Sequence, residues 1–361
     1  MKCKYCEVVL QKVKESMINN SSMQALMFTA IREQKLVEVP IPTIDRPDGV
    51  LLKVKSVGVC GSDLHGYTGH SGRRIPPLIM GHEVTAEVVA AGEAVEDLPI
   101  GSRVAIQPVE FCGVCPQCLA GRRNICENRR VMGMSAPGAY AEYVTWPAAN
   151  LFQLPDSLSY ENSALAEPLS IAVHAVGLAH IRPYDTALIV GAGPIGLLTL
   201  AVLKLTGVNQ IAISDASDAR LELARSIGAQ ITINPTRQNP RQVVNEFTAG
   251  SGVDVAFEAV GLSATSQQTL EVTRNKGAIV WIGNNQRMIE IDMQAIVTRE
   301  LTVIGSYGMT DEEFQRSLRM LADGRIPTDR LINRRASLSE GPELFDQLLA
   351  SPETIKCVIN F

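Results

Sequence analysis

Four cysteines, Cys112, Cys115, Cys118 and Cys126, are separated by two, two and seven residues. That spacing lets one short loop turn four sulfurs toward a single point. Thiolates ~2.3 Å from a d¹⁰ ion with no preferred d-electron geometry make a closed tetrahedral zinc site. Gly113, Pro116 and Gly121 supply the turns such a loop needs. Disulfides are the alternative, but neighbours three apart rarely meet bridging geometry twice over. A structural zinc is therefore expected. Four thiolates leave no open coordination position, so the chemistry has to lie elsewhere.

Cys60-Gly-Ser62-Asp-Leu-His65 precedes Gly81-His82-Glu83, and Ala-Glu167-Pro-Leu-Ser follows the cysteine loop. One thiolate, one imidazole and one carboxylate would hold zinc with a position open for water or substrate. Such an ion is a Lewis acid toward an alcohol or carbonyl oxygen. Taken singly, a cysteine is usually a small buried hydrophobe and a histidine a packing residue. Their order around a four-cysteine loop favours the metal reading. One thiolate and one carboxylate balance the ion's charge, whereas a second carboxylate would weaken the Lewis acid. Glu83 and Glu167 are thus not expected to bind tightly together. Ser62 is expected to take the alcohol proton and His65 to pass it to solvent; a turn serine and a solvated loop histidine are the plainer alternatives. Arg73-Arg74 lies between the two halves of this site and could meet an acidic or phosphorylated substrate.

A cofactor motif comes next. Thr186-Ala-Leu-Ile-Val190 reads as an apolar strand, followed by Gly191-Ala-Gly193-Pro194-Ile195-Gly196 and a helix-like run from Leu197 to Leu205. Gly191 permits a tight turn, Gly193 lets a pyrophosphate approach bare backbone, and Gly196 allows close helix–strand packing. Pro194 suits a first helical turn, whose free N–H groups favour phosphate. The glycines alone are a weak signal; the strand, the helix and a downstream acid together make it specific. That acid is Asp215, nineteen residues after Gly196. Its carboxylate can accept the ribose hydroxyls of NAD and repel the 2′-phosphate of NADP, with Arg220 placed to soften the discrimination. It could also cap a helix starting at Ala216. Strands at 253–257, 278–282 and 301–305 should end at the nicotinamide half, bringing Ile282, Gly283 and Ser306 there.

The elements that position these groups fall into two textures. From Met23 to about residue 155, short β segments alternate with turns: Leu51 to Val57, Val84 to Val89, and Arg103 to Ile106 after Pro99-Ile-Gly101. Regular Gly and Pro punctuation favours a partly open barrel. From about residue 160 to 305, strands and helices alternate, as in a parallel sheet covered on both faces. Residues 1–22 differ from both. Val9, Leu10, Val13 and Met17 have helical spacing, Asn19-Asn-Ser-Ser22 breaks it, and Cys3-Lys-Tyr-Cys6 has no second cysteine pair nearby. They read as an appended helix, or as an extension ahead of a start at Met23.

With these motifs assembled, the chain resembles the zinc-dependent medium-chain dehydrogenases, the alcohol, sorbitol and threonine dehydrogenase family, from about Met23 to Phe361. The resemblance implies a GroES-like barrel built from both chain ends (23–160 and 306–361) with a Rossmann domain (161–305) inserted between them. Cys60 and His82 match two catalytic zinc ligands, and Glu83 matches the carboxylate after the histidine. Glu167 matches a position that is glutamate in sorbitol- and threonine-dehydrogenase-like members. The cysteine loop matches the structural zinc lobe, and Asp215-Ala-Ser-Asp-Ala-Arg220 is similar to the threonine and polyol branch. Two departures stand out: Ala86, where a glycine is usual, and the turn Ala136-Pro-Gly138-Ala-Tyr-Ala-Glu142 in place of a double glycine. Both bear on pocket shape.

Composition bounds the rest. The chain has 361 residues, 46% hydrophobic and 20% charged, which is enough for two domains with cores. A net charge of −5 argues against a general nucleic-acid binder. No run of ~18 apolar residues suggests a membrane span. Charged and polar residues interrupt any signal-peptide core, and eight cysteines, five of them assigned to metal, suit a reducing cytoplasm. The expected activity is hydride transfer from a secondary alcohol to NAD. Polyols, sugar-derived alcohols, sugar acids, sugar phosphates, diols and threonine all fit; a polyol or sugar-derived alcohol is favoured by the glutamate branch. An NADPH-linked carbonyl reductase and a non-catalytic NAD sensor are the alternatives. The family resemblance implies a homodimer or homotetramer.

Overall fold

The computed structural model describes residues 22–70 and 72–361. The Cys3/Cys6 pair and the helical spacing of 9–17 lie outside the described residues. Ser22–Ala30 pairs antiparallel with Glu33–Pro40 and with Leu78–Ile79. Beside it a mixed sheet runs in the order Leu151–Gln153, Arg103–Ile106, Glu83–Ala91, Gly49–Val59, Lys356–Asn360, Ile332–Ser337, with Tyr143–Pro147 also pairing to Gly49–Val59. Strands from both ends of the chain thus share one sheet. Gly49–Val59 is buried along almost its whole length, Lys53 alone being exposed, because neighbours cover both of its faces. This is why its alternation is weaker than that of a strand with one face in water.

Between these two ends a six-stranded sheet runs Ile231–Ile233, Gln210–Ser214, Thr186–Val190, Val253–Glu258, Thr273–Trp281, Thr302–Gly305. Every neighbouring pair in it is parallel. The order reverses direction beside Thr186–Val190, and that reversal opens a crevice at the carboxyl ends of the strands. The strand interiors are continuous apolar runs, as a sheet with helices on both faces requires. Pro194–Leu205 starts directly on the glycine turn, with Gly193 as N-cap and Pro194 in the first turn. The next helix, Asp218–Ile227, is capped by Ser217, whose hydroxyl accepts from Arg220 N, so Asp215 is not its cap. Ala86 is fully buried opposite Val54 and Val104, next to a bulge at Lys55. Among the described residues no helix is long and apolar enough to cross a membrane.

Candidate active site

Strand Gly49–Val59 ends at Cys60, which caps the helix Gly61–Tyr67. Its Sγ accepts from Ser62 Oγ at 3.2 Å. His82 follows the Gly81 turn and Glu83 opens the adjacent strand. Ligand atoms of Cys60, His82 and Glu83 lie within 4.8 Å of one another. Gly58 faces Glu83 across the ladder, and a Cβ there would stand 2.0 Å from Glu83 Oε2, so this pairing needs glycine.

Two charged residues that the sequence does not mark for this site, Lys356 and Asp63, lie beside it, and Arg74 joins them. Lys356 Nζ lies 2.7 Å from both Glu83 oxygens and 3.1 Å from Val59 O, and both side chains are buried. Burial alone would lower the Lys356 pKa; Glu83 outweighs it and raises it. Asp63 is also fully buried. It accepts from Tyr140 Oη at 2.8 Å and pairs with Arg74 Nη2 at 2.7 Å. His82 Nδ1 stands 3.4 Å from Asp63 Oδ1, an ion-pair distance without hydrogen-bond geometry. Burial works to raise the Asp63 carboxyl, but His82 and Arg74 hold it well below the usual carboxylate range. A carboxylate behind one ring nitrogen orients an imidazole to ligate through the other.

Arg74 is thus buried inside the protein. It also donates to Ser62 Oγ at 3.0 Å, and Gly66 leaves room for its side chain. Arg73 instead reaches across to the parallel-sheet half, where its Nη2 donates to Asn284 Oδ1 at 2.9 Å. The two arginines that look alike in sequence have different settings. His65 is half-buried on the same helix as Ser62; burial, then His70 and Arg74, lower its pKa. The turn carrying Ala139 and Tyr140 clasps the Gly81 segment through Ala139 N to Gly81 O and Tyr140 N to Met80 O.

Glu167 sits in the first turn of helix Ala166–Leu178. It lies outside the 4.8 Å group yet close enough to feel it. Burial pushes its carboxyl up to about 7, with His82 pulling down and Glu83 pushing up. A thiol, an imidazole, the buried Glu83 and the half-buried Glu167 are a donor set that fits zinc, and a cation beside Glu167 would offset the burial that raises its carboxyl. The second cluster fits as well. Cys112, Cys115, Cys118 and Cys126 bring four sulfurs within 4.8 Å. Backbone N–H groups of Val114 and Cys115 pull Cys112 down to about 6, while burial pushes Cys118 up to about 12.

At the crevice of the parallel sheet, Gly191 has φ +103, and a Cβ on Gly196 would fall 1.8 Å from Gly191 O. Asp215 accepts from Ala192 N at 2.7 Å and Ser217 N at 2.8 Å. Arg220 Nη1 lies 3.9 Å from where a Cβ on Gly193 would be, and its Nε donates to Pro352 O at 2.8 Å. On the other side of the crevice, the backbone N–H groups of Ile282 and Gly283 both donate to Glu258 O. The buried Glu258 carboxylate accepts from Val260 N and Gly261 N, closing the loop that follows its own strand. Ser306 Oγ is buried there without a partner. Lys356 and Asp63 carry no local motif; each works through a neighbour that only the fold supplies.

A cysteine–histidine–carboxylate cluster, in a barrel that Arg73 ties to the 282–285 loop beside the glycine-turn crevice, is the arrangement of a metal-dependent oxidoreductase. Residues 46–156 match the alcohol dehydrogenase GroES-like domain, and residues 194–323 match the zinc-binding dehydrogenase family. A sorbitol dehydrogenase of Bacillus subtilis (strain 168) is 35% identical over 335 residues, 91% of this chain and 94% of that protein. An L-threonine 3-dehydrogenase of Symbiobacterium thermophilum is 38% identical over 277 residues, 76% and 78% of the two chains. A zinc-binding dehydrogenase of Sinorhizobium meliloti 1021, solved bound to NADP, superposes with TM-score 0.87 and 34% identity, over 95% of this chain and 100% of that one. The chain belongs to the zinc-dependent medium-chain dehydrogenase family, and its fold is that family's GroES-like barrel with a Rossmann domain.

Proposed function

We propose that this protein oxidises a polyol or sugar-derived secondary alcohol, with NAD as hydride acceptor. The observation carrying the reading is the Cys60–His82–Glu83 cluster, with Ser62 bonded to Cys60 and Glu167 close enough for His82 and Glu83 to act on it. Zinc held by Cys60, His82 and Glu83 would supply Lewis-acid chemistry at the substrate oxygen, and NAD the hydride acceptor. The other steps fall to side chains. Ser62 Oγ donates to Cys60 Sγ and accepts from Arg74, so one acceptor direction remains for the substrate hydroxyl proton. His65, kept neutral by burial, takes that proton onward to solvent. Lys356 holds Glu83 in place through both of its oxygens, and Glu167 accepts a hydrogen bond from a second hydroxyl. A polyol has such a hydroxyl on the neighbouring carbon, and the sorbitol dehydrogenase relative supports this substrate class.

Asp215 supports NAD, because a carboxylate at the end of the second strand repels a 2′-phosphate. Arg220 beside Gly193 and the NADP-bound relative support the other cofactor, so the two must be compared directly. Zinc-replete protein should form NADH with one class among polyols, sugar acids, sugar phosphates, diols and threonine, and Cys60→Ser should abolish it. Higher kcat/KM with NADP would overturn the NAD reading. Equal turnover by the Cys60→Ser protein would remove Cys60 from the metal site. Size-exclusion chromatography tests the homodimer or homotetramer that the family resemblance implies.

A further inference from the structure

We propose that the four-cysteine lobe is a clamp on the nicotinamide end of the cofactor site, with Asn124 as its positioning residue. This rests on the reading above that Ser306 borders the nicotinamide. Strand Thr302–Gly305 ends at Ser306, in the crevice, and the chain then crosses back toward the barrel through Tyr307–Asp311. The lobe grips that crossover at several points. Asn124 Nδ2 donates to Tyr307 O at 2.7 Å. The Arg129 guanidinium stacks 5.0 Å over the Tyr307 ring. Arg123 Nη1 pairs with Asp311 Oδ2 at 2.5 Å, and Gln107 Nε2 donates to Asp311 Oδ1 at 3.1 Å from the adjoining barrel. Gly308, at φ +66, lies under Asn124, where a Cβ would come within 3.2 Å of the Asn124 Cβ.

Asn124 is 6% exposed and sits between Cys118 and Cys126, in the short helix Arg123–Ile125. The lobe's only other helix is Pro116–Leu119, and its small core consists of cysteines with Phe111. Nothing in it is large enough to fix the loop by hydrophobic packing. The loop's shape is therefore set by whatever holds the four sulfurs together, and Asn124 transmits that shape to the residue after Ser306. Asn124 is the most committed of these contacts: it is buried and directed at a backbone carbonyl that would otherwise lack its donor. It touches neither substrate nor cofactor. Its effect should appear as a loss of affinity for the nicotinamide half alone.

The test compares NADH binding, followed by its fluorescence, with AMP binding, which reads the adenine half. Asn124→Asp keeps the shape of the side chain and removes the donor. It should weaken NADH about five- to tenfold, the loss expected for one hydrogen bond, and leave AMP affinity unchanged, while the orphaned carbonyl lowers the melting temperature by a few degrees. The KM for NAD should rise by a similar factor with kcat held within about twofold. Cys118→Ser, which opens the metal cluster, should give the same NADH-against-AMP split if it folds. NADH affinity within twofold of the parent would overturn the clamp, and so would equal weakening of NADH and AMP, the mark of general loosening. Failure of the parent protein to bind NADH at all would instead sink the cofactor-site reading, and the clamp with it.

Discussion

The two cysteine-bearing clusters are built in opposite ways. The lobe draws its four sulfurs from residues 112–126, and each lies within one turn or short helix of the next. The catalytic cluster gathers Cys60, His82 and Glu83, and with them come Asp63, Arg74, Tyr140, Glu167 and Lys356. The lobe is a local object that needs only its loop and an ion. The catalytic cluster is a product of the whole fold, in which ion pairs buried in a sheet hold the ligands before any ion arrives. The first design concentrates its weakness in four atoms; the second spreads it over charged partners remote in sequence.

Substitutions can sharpen that contrast. Cys60→Ser should lower kcat by about a thousandfold or more, since several kcal/mol of Lewis-acid stabilisation is lost, while the lobe keeps its zinc. Metal analysis should then show one zinc per chain, and retention of both would break the comparison. Lys356→Met leaves Glu83 buried without its cation, and urea unfolding should record a loss of about 3–5 kcal/mol. Adding Glu83→Gln to Lys356→Met should recover most of that loss; no recovery would mean that the lysine stem, rather than the charge, was what mattered. Asp215→Gly should raise the KM for NAD about tenfold and narrow the preference over NADP.

The smallest effect belongs to the contact between helix Ala166–Leu178 and helix Asp311–Ala322, where His174 Nδ1 lies 3.0 Å from both oxygens of Glu313. Burial would raise the Glu313 carboxyl, but the bonds from His174 and from Thr310 N lower it below its ordinary value of 4.5. A depressed carboxyl stabilises the fold above its unfolded pKa and loses that contribution as the pH falls through the folded one. Glu313→Gln should therefore cost about 1–2 kcal/mol at pH 7 and nothing once the pH is well below 4. A penalty that is the same at both pH values would mean that packing, not charge, is what the substitution removes.

What the sequence disclosed follows the same division. The cysteine loop, the glycine turn with Pro194, and the strand-and-helix alternation are local patterns, and each fixes a backbone shape over a few residues. Both halves of the fold were legible from them. Lys356 was not, because its role comes from Cys357 pairing with Val59, a contact made 298 residues apart that no spacing encodes. Arg73 and Arg74 were read together as charges that could meet an acidic or phosphorylated substrate. A one-residue step sends one inward to Asp63 and the other to Asn284, and only the helix Gly61–Tyr67, with the room left at Gly66, decides which. Ser62 and His65 were marked from their distance to Cys60, but the hydrogen bond from Arg74 that orients Ser62 needed the fold.

The strand Lys356–Asn360 lies between Gly49–Val59 and Ile332–Ser337, inside its sheet rather than at an edge. It is also the last strand of that sheet to be synthesised. Until it is made, residues 56–59 lack their partner on one side and Glu83 lacks its counter-charge. The parallel sheet of 186–305 is complete by then, so the inserted domain can fold first, and the barrel that flanks it closes last.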